Sequence, residues 1–286
     1  MIGKSMKSLR DRVSNALTYA LLAFLGILWV LPIFYLVYTA FRVTPSTGII
    51  NTLFPENLQL GFGNFVRLFS DTLFSRWLLN TLLVATCSCA LTTILLLMVS
   101  YALSRLLFKL RKPIMNVLLV LGMFPGFMSM IAVYFILKAV GLTQSLLALV
   151  LVYSGSAALS YYVAKGFFDT IPRALDEAAY IDGASKSTIF WRITLPLSKP
   201  IVVYTVLMSF MAPWMDFIFA SVIMKDNYDN YTVALGLFQM IARENIYDYF
   251  TVFCAGAVVV AIPIALLFLF MQKYYVEGVT GGAVKG

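Results

Sequence analysis

Residues 176–196 read DEAAYIDGASKSTIFWRITLP and separate two long apolar stretches of the chain. Pro172, just before them, suits the first turn of a helix, and the carboxylates of Asp176 and Glu177 favour the positive end of the helix dipole. Gly183 is typical of a helix end, because glycine readily adopts the left-handed conformation used there. A short polar helix that ends at Gly183 is therefore predicted.

A second short helix is predicted directly after this glycine. Ser185 or Ser187 can cap it, because a serine hydroxyl accepts a hydrogen bond from a backbone N–H of the first turn. Pro196 marks the start of the next apolar stretch. Ala178 and Ala179 keep the first helix slim, so that another surface can approach it closely. The polar segment is therefore predicted to be a docking element made of helix, glycine break and helix.

Long apolar stretches make up most of the remaining chain. Of its 286 residues 61% are hydrophobic and 12% are charged, against roughly 25% charged residues in an average soluble protein. Six stretches exceed the roughly 20 residues that cross the hydrocarbon core of a bilayer. They are residues 17–41, 77–104, 114–137, 139–164, 200–224 and 249–272. Strands of a membrane barrel alternate apolar and polar residues over about 10 positions, whereas these stretches are continuous. The predicted fold class is an all-α integral membrane protein with six transmembrane helices.

The distribution of basic residues predicts the orientation of these helices. Lys and Arg are concentrated in the segments that share a side with the N-terminus, and the positive-inside rule places that side in the cytoplasm. Both termini and the polar segment 165–199 are then cytoplasmic. The net charge of +8 is explained by this bias and by contact with anionic membrane lipids. Basic and aromatic residues are not interleaved as in nucleic-acid sites, so no nucleic-acid partner is expected.

Catalytic and metal chemistry is not expected of this chain. The sequence contains no histidine, the most common metal ligand and the usual acid–base group near neutral pH. Its three cysteines lie in apolar stretches, and Cys87 and Cys89 face different sides of a helix. Residues 183–187, GASKS, lack the second glycine and the preceding strand of a phosphate-binding loop. No catalytic residue, metal site or ATP site is therefore predicted.

Seven residues of the polar segment stand in an order that resembles the EAA motif of ABC importer permeases. They are Glu177, Ala178, Ala179, Gly183, Ile193, Leu195 and Pro196. The intervening sequence YIDGAS, residues 180–185, resembles the version of this motif in sugar permeases. The chain is thus similar to the permeases of binding-protein-dependent sugar importers of the maltose and maltodextrin type.

The resemblance implies a type I importer fold, also called MetI-like, and three parts of the chain. Residues 1–75 would contain an N-terminal cytoplasmic segment, the first transmembrane helix and an external loop. Residues 76–273 would form the permease core, with five transmembrane helices and the coupling segment 165–199. Residues 274–286 would form a cytoplasmic tail similar to that of the smaller permease in maltose importers. The external sequence YTVALGL, residues 231–237, is similar to a loop that approaches the solute-binding protein in that subfamily.

The resemblance also implies partners and a source of energy. No internal repeat divides the chain into two halves, so a pathway with twofold pseudosymmetry needs a second permease, in a heterodimer. Two ATPase subunits would carry ATP and Mg, and an extracellular or periplasmic solute-binding protein would deliver the sugar. The sugar would be a malto-oligosaccharide or a related oligosaccharide, and the location would be the bacterial cytoplasmic membrane.

Two other classes of function remain open at this point. A proton-coupled secondary transporter is the main alternative, and it needs a self-contained pathway and a proton relay. A membrane-embedded enzyme is the third, although the apolar stretches contain no pair of carboxylates. An ATPase that stays bound in detergent would support the importer, whereas uptake by this chain alone, driven by a proton gradient, would support the transporter.

Asp216 is the acidic residue within the predicted spans, where a charge costs roughly 2.5–3.5 kcal/mol. Three roles are open: lining a solute path beside Trp214, whose ring can stack on a sugar face; structural pairing with a helix end or a basic residue; and proton relay. Many sugar permeases carry a similar pattern of Trp, any residue, Asp or Glu, and Phe, and this resemblance favours a structural or gating role. Trp214 and Asp216 are therefore candidate residues of a substrate path or gate.

Overall fold

The computed structural model describes residues 2–43, 59–124, 126–155, 158–243 and 245–283. Within these ranges regular structure is helical, apart from an isolated antiparallel bridge between Arg42 and Leu60. The helices are α1 (Ile2–Phe41), α2 (Gly63–Ser70), α3 (Phe74–Arg105), α4 (Arg111–Met123), α5 (Gly126–Ala139), α6 (Leu146–Gly155), α7 (Ala158–Asp169), α8 (Arg173–Ile181), α9 (Lys186–Ile189), α10 (Leu195–Leu197), α11 (Lys199–Met215), α12 (Ile218–Met224), α13 (Val233–Ile241) and α14 (Asn245–Ala283). The predicted all-α fold is confirmed.

The chain divides into two units. The first unit comprises Met1–Asp71 and Met240–Val259, and the second comprises Thr72–Gln239 and Val260–Gly286. In the first unit, α2 is tied to the end of α1 by the buried side-chain amide of Asn64. This amide donates hydrogen bonds to the backbone carbonyls of Ala40, at 3.0 Å, and Arg42, at 2.7 Å.

The six predicted spans correspond to three continuous helices and three bent pairs. Asp11–Phe41, Phe74–Arg105 and Asn245–Gln272 are each long and apolar enough to cross a bilayer. The bent pairs are Arg111–Met123 with Met128–Ala139, at 107°, Leu146–Gly155 with Leu159–Asp169, at 46°, and Lys186–Leu197 with Lys199–Met215, at 82°. The described residues thus contain up to six spans if each bent pair counts as one.

Two of the breaks have a local cause. Phe124 ends α4 with an extended backbone, at ψ 133°, because a residue that precedes proline is disfavoured in the helical conformation. The stretch 200–224 was expected to be a single span, but α11 ends at Met215 and Asp216 is extended, at ψ 110°. The helix resumes as α12, so the carboxylate of Asp216 lies at a helix break.

The second unit is organised around α3, which packs against α6, α7 and α11. Near the predicted cytoplasmic end of α3 these helices bury a common apolar cluster. Its members are Leu96, Leu97, Tyr101, Ala164, Phe168, Ile171, Phe190 and Ile201. Because the cluster includes residues on both sides of the coupling segment 165–199, it holds that segment against the ends of the spans.

Candidate functional site

The coupling segment folds as the predicted helix, glycine break and helix. Glu177, Ala178 and Ala179 lie in α8, and Gly183 ends that helix with a φ of 83°. The backbone N–H of Gly183 donates to the carbonyl of Tyr180 at 3.1 Å, as expected of a glycine that closes a helix. A residue with a side chain would be strained at this φ, so glycine has a conformational role here.

Ser185 is the cap of the second helix, α9. Its Oγ accepts a hydrogen bond from the backbone N–H of Thr188 at 3.1 Å, which selects Ser185 over Ser187 as the capping residue. The chain continues through a π-helical stretch, Phe190–Thr194, and then through α10 before it bends into α11. Such π-helical insertions are rare and often lie at functional sites.

The seven motif residues divide into an outer and an inner set. On the outer side, Glu177 and Ala178 are exposed, and no residue of α8 is buried. On the inner side, Ile193 is half-buried and Leu195 packs against the apolar cluster described above. The outer residues are thus available to a partner, whereas the inner residues attach the segment to the spans.

An apolar face of α8 remains uncovered in the single chain. Leu175, Ala178 and Ile181 are three residues apart and share one side of the helix. All three are exposed, and the side chain of Ile181 is 86% accessible. Trp191 adds a large exposed ring from the π-helical stretch. We call Leu175, Ala178, Ile181 and Trp191 the α8 face; apolar side chains uncovered on the cytoplasmic side indicate a protein interface.

Arg105 joins the coupling segment to the spans, a role that the sequence analysis did not assign. Its Nη2 donates to the backbone carbonyls of Phe168, at 2.8 Å, and Ile171, at 2.7 Å. Its Nε lies 3.3 Å from Oδ2 of Asp176, and the two side chains are 5% and 20% exposed. One guanidinium thus connects the ends of α3 and α7 with α8. In the sequence this arginine differs in no way from the other basic residues that set the orientation.

A cleft of 430 Å³ lies beside the α8 face, between α3, α8 and α9. Its lining combines the charged groups of Arg105, Asp176, Glu177 and Lys186 with the apolar side chain of Ile189. The cleft offers a partner both ion-pairing groups and an apolar floor.

Asp216 has two hydrogen-bond partners in the structure. Its Oδ2 accepts from the phenol of Tyr153 at 2.6 Å, and its Oδ1 accepts from the backbone N–H of Phe219 at 3.1 Å, in the first turn of α12. This geometry favours the second of the three roles, a structural partner of a helix end. The ring of Trp214 is 5% exposed and lies 5.8 Å from that of Phe210, so this covered ring offers no free face for a sugar.

We expect Asp216→Asn to retain assembly and most uptake, because an amide can still accept from Phe219 and donate to Tyr153. Asp216→Ala removes both hydrogen bonds and should lower the free energy of unfolding by about 2–4 kcal/mol. Thermal unfolding in detergent and uptake in proteoliposomes measure the two effects. A loss of uptake by the Asn variant at unchanged stability would instead indicate that the charge itself takes part in transport.

A second cleft, of 190 Å³, lies among α3, α6, α7 and α11 and is rich in hydroxyl groups. These belong to Thr92, Tyr153, Ser160, Tyr204, Thr205 and Ser209. Thr92 is 6% exposed, and its Oγ1 has no hydrogen-bond partner. Met208 and Ala212, also in the lining, are exposed, so the cleft is open on one side. We call it the hydroxyl cleft.

The predicted external sequence 231–237 is packed on the start of α3. The indole N–H of Trp77 donates to the carbonyl of Tyr228 at 2.8 Å, and Oγ1 of Thr81 accepts from the backbone N–H of Val233, also at 2.8 Å. The side chain of Tyr231 is buried, which raises the pKa of its phenol above the ordinary value and keeps it a neutral donor to the carbonyl of Lys225. The segment is thus held firmly by α3.

Comparisons with known proteins agree with this architecture. Residues 99–281 match the family described as "Binding-protein-dependent transport system inner membrane component". The maltodextrin transport system permease protein MalD of Streptococcus pneumoniae is 34% identical over 282 residues, which cover 97% of this chain and 98% of that protein. The galactooligosaccharides transport system permease protein GanQ of Bacillus subtilis is 33% identical over 274 residues, covering 94% of this chain and 95% of the relative.

Solved structures share the fold. A chain of a bacterial ABC transporter for the acidic polysaccharide alginate superimposes with a TM-score of 0.80 at 20% identity, over 93% of this chain and 97% of that one. A chain of the methionine transporter MetNI, in an inward-facing conformation, gives a TM-score of 0.56 at 18% identity, over 71% of this chain and 94% of its own length.

The helical fold with its exposed coupling segment defines a membrane-embedded transport subunit rather than an enzyme. The chain belongs to the family of binding-protein-dependent transport system inner membrane components, the permease subunits of ABC importers. The relatives give no support to a proton-coupled secondary transporter.

Proposed function

We propose that this chain is one permease subunit of an ATP-driven importer of malto-oligosaccharides or of a closely related oligosaccharide. The observation that carries the proposal is the α8 face, an uncovered apolar surface on the segment that Arg105 attaches to the spans. The relatives support the substrate class, since they include permeases for maltodextrin and galactooligosaccharides at 33–34% identity over nearly the whole chain.

The α8 face is proposed to dock on an ATPase subunit that carries ATP and Mg. Ala178 and Ala179 allow close approach, Glu177 anchors the helix through hydrogen bonds, and Gly183 permits the turn that presents it. Ile193, Leu195 and Pro196 hold the segment at its angle to α11. Closure of the ATPases would then move α8 and, through Arg105, the spans, in a rigid-body transition between inward- and outward-facing states.

The complete importer is proposed to contain a second, different permease, two ATPase subunits and an external solute-binding protein, in a bacterial cytoplasmic membrane. This chain would supply half of the pathway. The hydroxyl cleft supports this role, because open hydroxyl groups at membrane depth are costly against lipid and match the neutral hydroxyls of a sugar. The unpartnered Oγ1 of Thr92 lacks the hydrogen bond that a buried hydroxyl normally makes.

Docking can be tested with Ala178→Arg in the assembled importer. A long charged side chain at the centre of an apolar interface leaves a charge without a partner, so ATPase retained on purification should fall on the order of 30-fold or more. Ala139→Arg is the matched control, because Ala139 is also exposed but lies at the end of α5, on the predicted external side. Retention of the ATPase by both variants at the wild-type level would refute docking through the α8 face.

The pathway role predicts an effect of Thr92→Val, which removes one hydroxyl at nearly constant volume. We expect uptake to fall about three- to tenfold, the usual worth of one hydrogen bond, with assembly and ATPase retention unchanged. Thr93→Val is the matched control, since its Oγ1 is also buried without a partner but does not line the hydroxyl cleft. Equal uptake by the two variants would argue against a pathway along this cleft.

A further inference from the structure

A basic pocket of 870 Å³ lies at the predicted cytoplasmic end of α3, α4 and α7, away from the α8 face and the hydroxyl cleft. Four of the residues that line it are cationic, and apolar and amide side chains complete the lining. The lining residues are Leu107, Phe108, Lys109, Arg111, Lys112, Met115, Asn116 and Lys165. The mechanism proposed above uses none of them.

The charges of the pocket are only partly compensated within the chain. Lys165 forms an ion pair with Asp169, whose other oxygen accepts from Ser104 at 2.6 Å. Over the described ranges, none of the ion pairs within 4 Å involves Lys109, Arg111 or Lys112. The pocket therefore retains a positive charge that an anion can neutralise.

The backbone adds to this positive potential. Helix α4 begins at Arg111 and continues for 13 residues, with no acidic residue in its first turn and no side-chain cap. The positive end of its dipole and its free N–H groups face the same region as the three cations, an arrangement that favours phosphate oxygens. An arginine beside two lysines suits a phosphodiester, because guanidinium can donate two parallel hydrogen bonds and ammonium groups supply point charges.

Apolar side chains next to the cations indicate that the anion belongs to a lipid. Leu107 is 84% exposed, and Leu110 and Phe108 are also exposed, in a connection of five residues between α3 and α4. So short a connection keeps the pocket at the membrane surface, where these side chains can contact acyl chains. A free anion needs no such apolar contact.

We propose that this pocket binds the headgroup phosphate of an anionic phospholipid from the cytoplasmic leaflet. Arg111 and Lys112 contact the phosphate, Lys109 adds charge, and the amide of Asn116 is available to hydroxyl groups of the headgroup. The lipid bridges α4 and α7, which are otherwise joined by a hydrogen bond from the phenol of Tyr162 to the carbonyl of Met115.

The test compares lipid binding by the assembled importer before and after Lys109→Gln, Arg111→Gln and Lys112→Gln are combined. Native mass spectrometry with added phosphatidylglycerol should show a tightly held lipid on the wild type and binding on the order of 100-fold weaker in the triple variant, since each basic residue contributes roughly fivefold. The matched control is Lys4→Gln, Lys7→Gln and Arg10→Gln, which removes the same charge from the basic N-terminal segment and should retain the lipid.

Four outcomes would overturn the proposal. They are equal lipid retention by the triple variant and the wild type; equal loss in the N-terminal control, which would indicate diffuse charge attraction; displacement of the lipid by millimolar inorganic phosphate, which would indicate a site for soluble anions; and loss of the ATPase from the triple variant, which would indicate a protein interface.

Discussion

Replacing Arg105 by alanine is expected to abolish coupled uptake. The substitution leaves the carboxylate of Asp176 and two carbonyl groups without their donor in a largely buried position, at a cost of about 3–5 kcal/mol. Because these groups belong to α7, α8 and the connection between them, α8 should lose its attachment to the spans. Hydrogen exchange of α8, ATPase retention and uptake in proteoliposomes measure the loss.

Three further variants separate this role from a general effect of charge. Arg105→Lys keeps the charge but has one nitrogen in place of a planar fork, so it should recover only part of the activity. Arg173→Ala, at an exposed position at the start of α8, should be nearly neutral. If the pair acts as a unit, combining Arg105→Ala with Asp176→Asn should cost less than the sum of the single effects. Wild-type coupling in Arg105→Ala would rule out the attachment.

Gly236→Ala is expected to disrupt the packing of the external segment on α3. A Cβ at this position would lie 1.9 Å from Cε3 of Trp77, well inside van der Waals contact. The indole cannot easily move, because its ring is buried and its N–H is bonded to the carbonyl of Tyr228. We expect a loss of about 3 kcal/mol or more in the free energy of unfolding, measured by thermal denaturation in detergent.

Gly166→Ala provides the matched control for this substitution. Gly166 lies inside α7, and its Cβ would have no neighbouring atom within 4 Å. The change should therefore be neutral or stabilise the helix by about 0.5–1 kcal/mol. In the Gly236→Ala background, Trp77→Phe should recover part of the stability by reducing the overlap. Equal stability of the two alanine variants would show that the segment is not packed as described.

The helix, glycine break and helix of the coupling segment was predictable because its signals are local. A positive φ at Gly183 and a serine cap depend on a few neighbouring residues, and both are found where the sequence places them. The choice between Ser185 and Ser187 was not predictable, since both stand at plausible capping distances. The spans were predictable in number for a similar reason, because apolar length alone identifies them.

The partners of single side chains were not predictable in the same way. Trp77 and Tyr228 are 151 residues apart, and Tyr153 and Asp216 are 63 apart. No local pattern distinguishes Arg105 from the other cytoplasmic arginines, or the buried residues of α13 from an external loop. Asp216 therefore kept three possible roles until the fold placed Tyr153 and the first turn of α12 beside it.

The sequence by itself determined that this chain is a helical membrane protein and where its docking helix begins and ends, because apolar length, charge bias and helix-end residues act over short distances. Only the tertiary structure decided which faces remain uncovered and which groups meet. Arg105 reaching α7 and α8, the hydroxyls that share one cleft and the cations that surround one pocket all depend on how distant helices pack, and that packing is set by contacts between residues far apart in the chain.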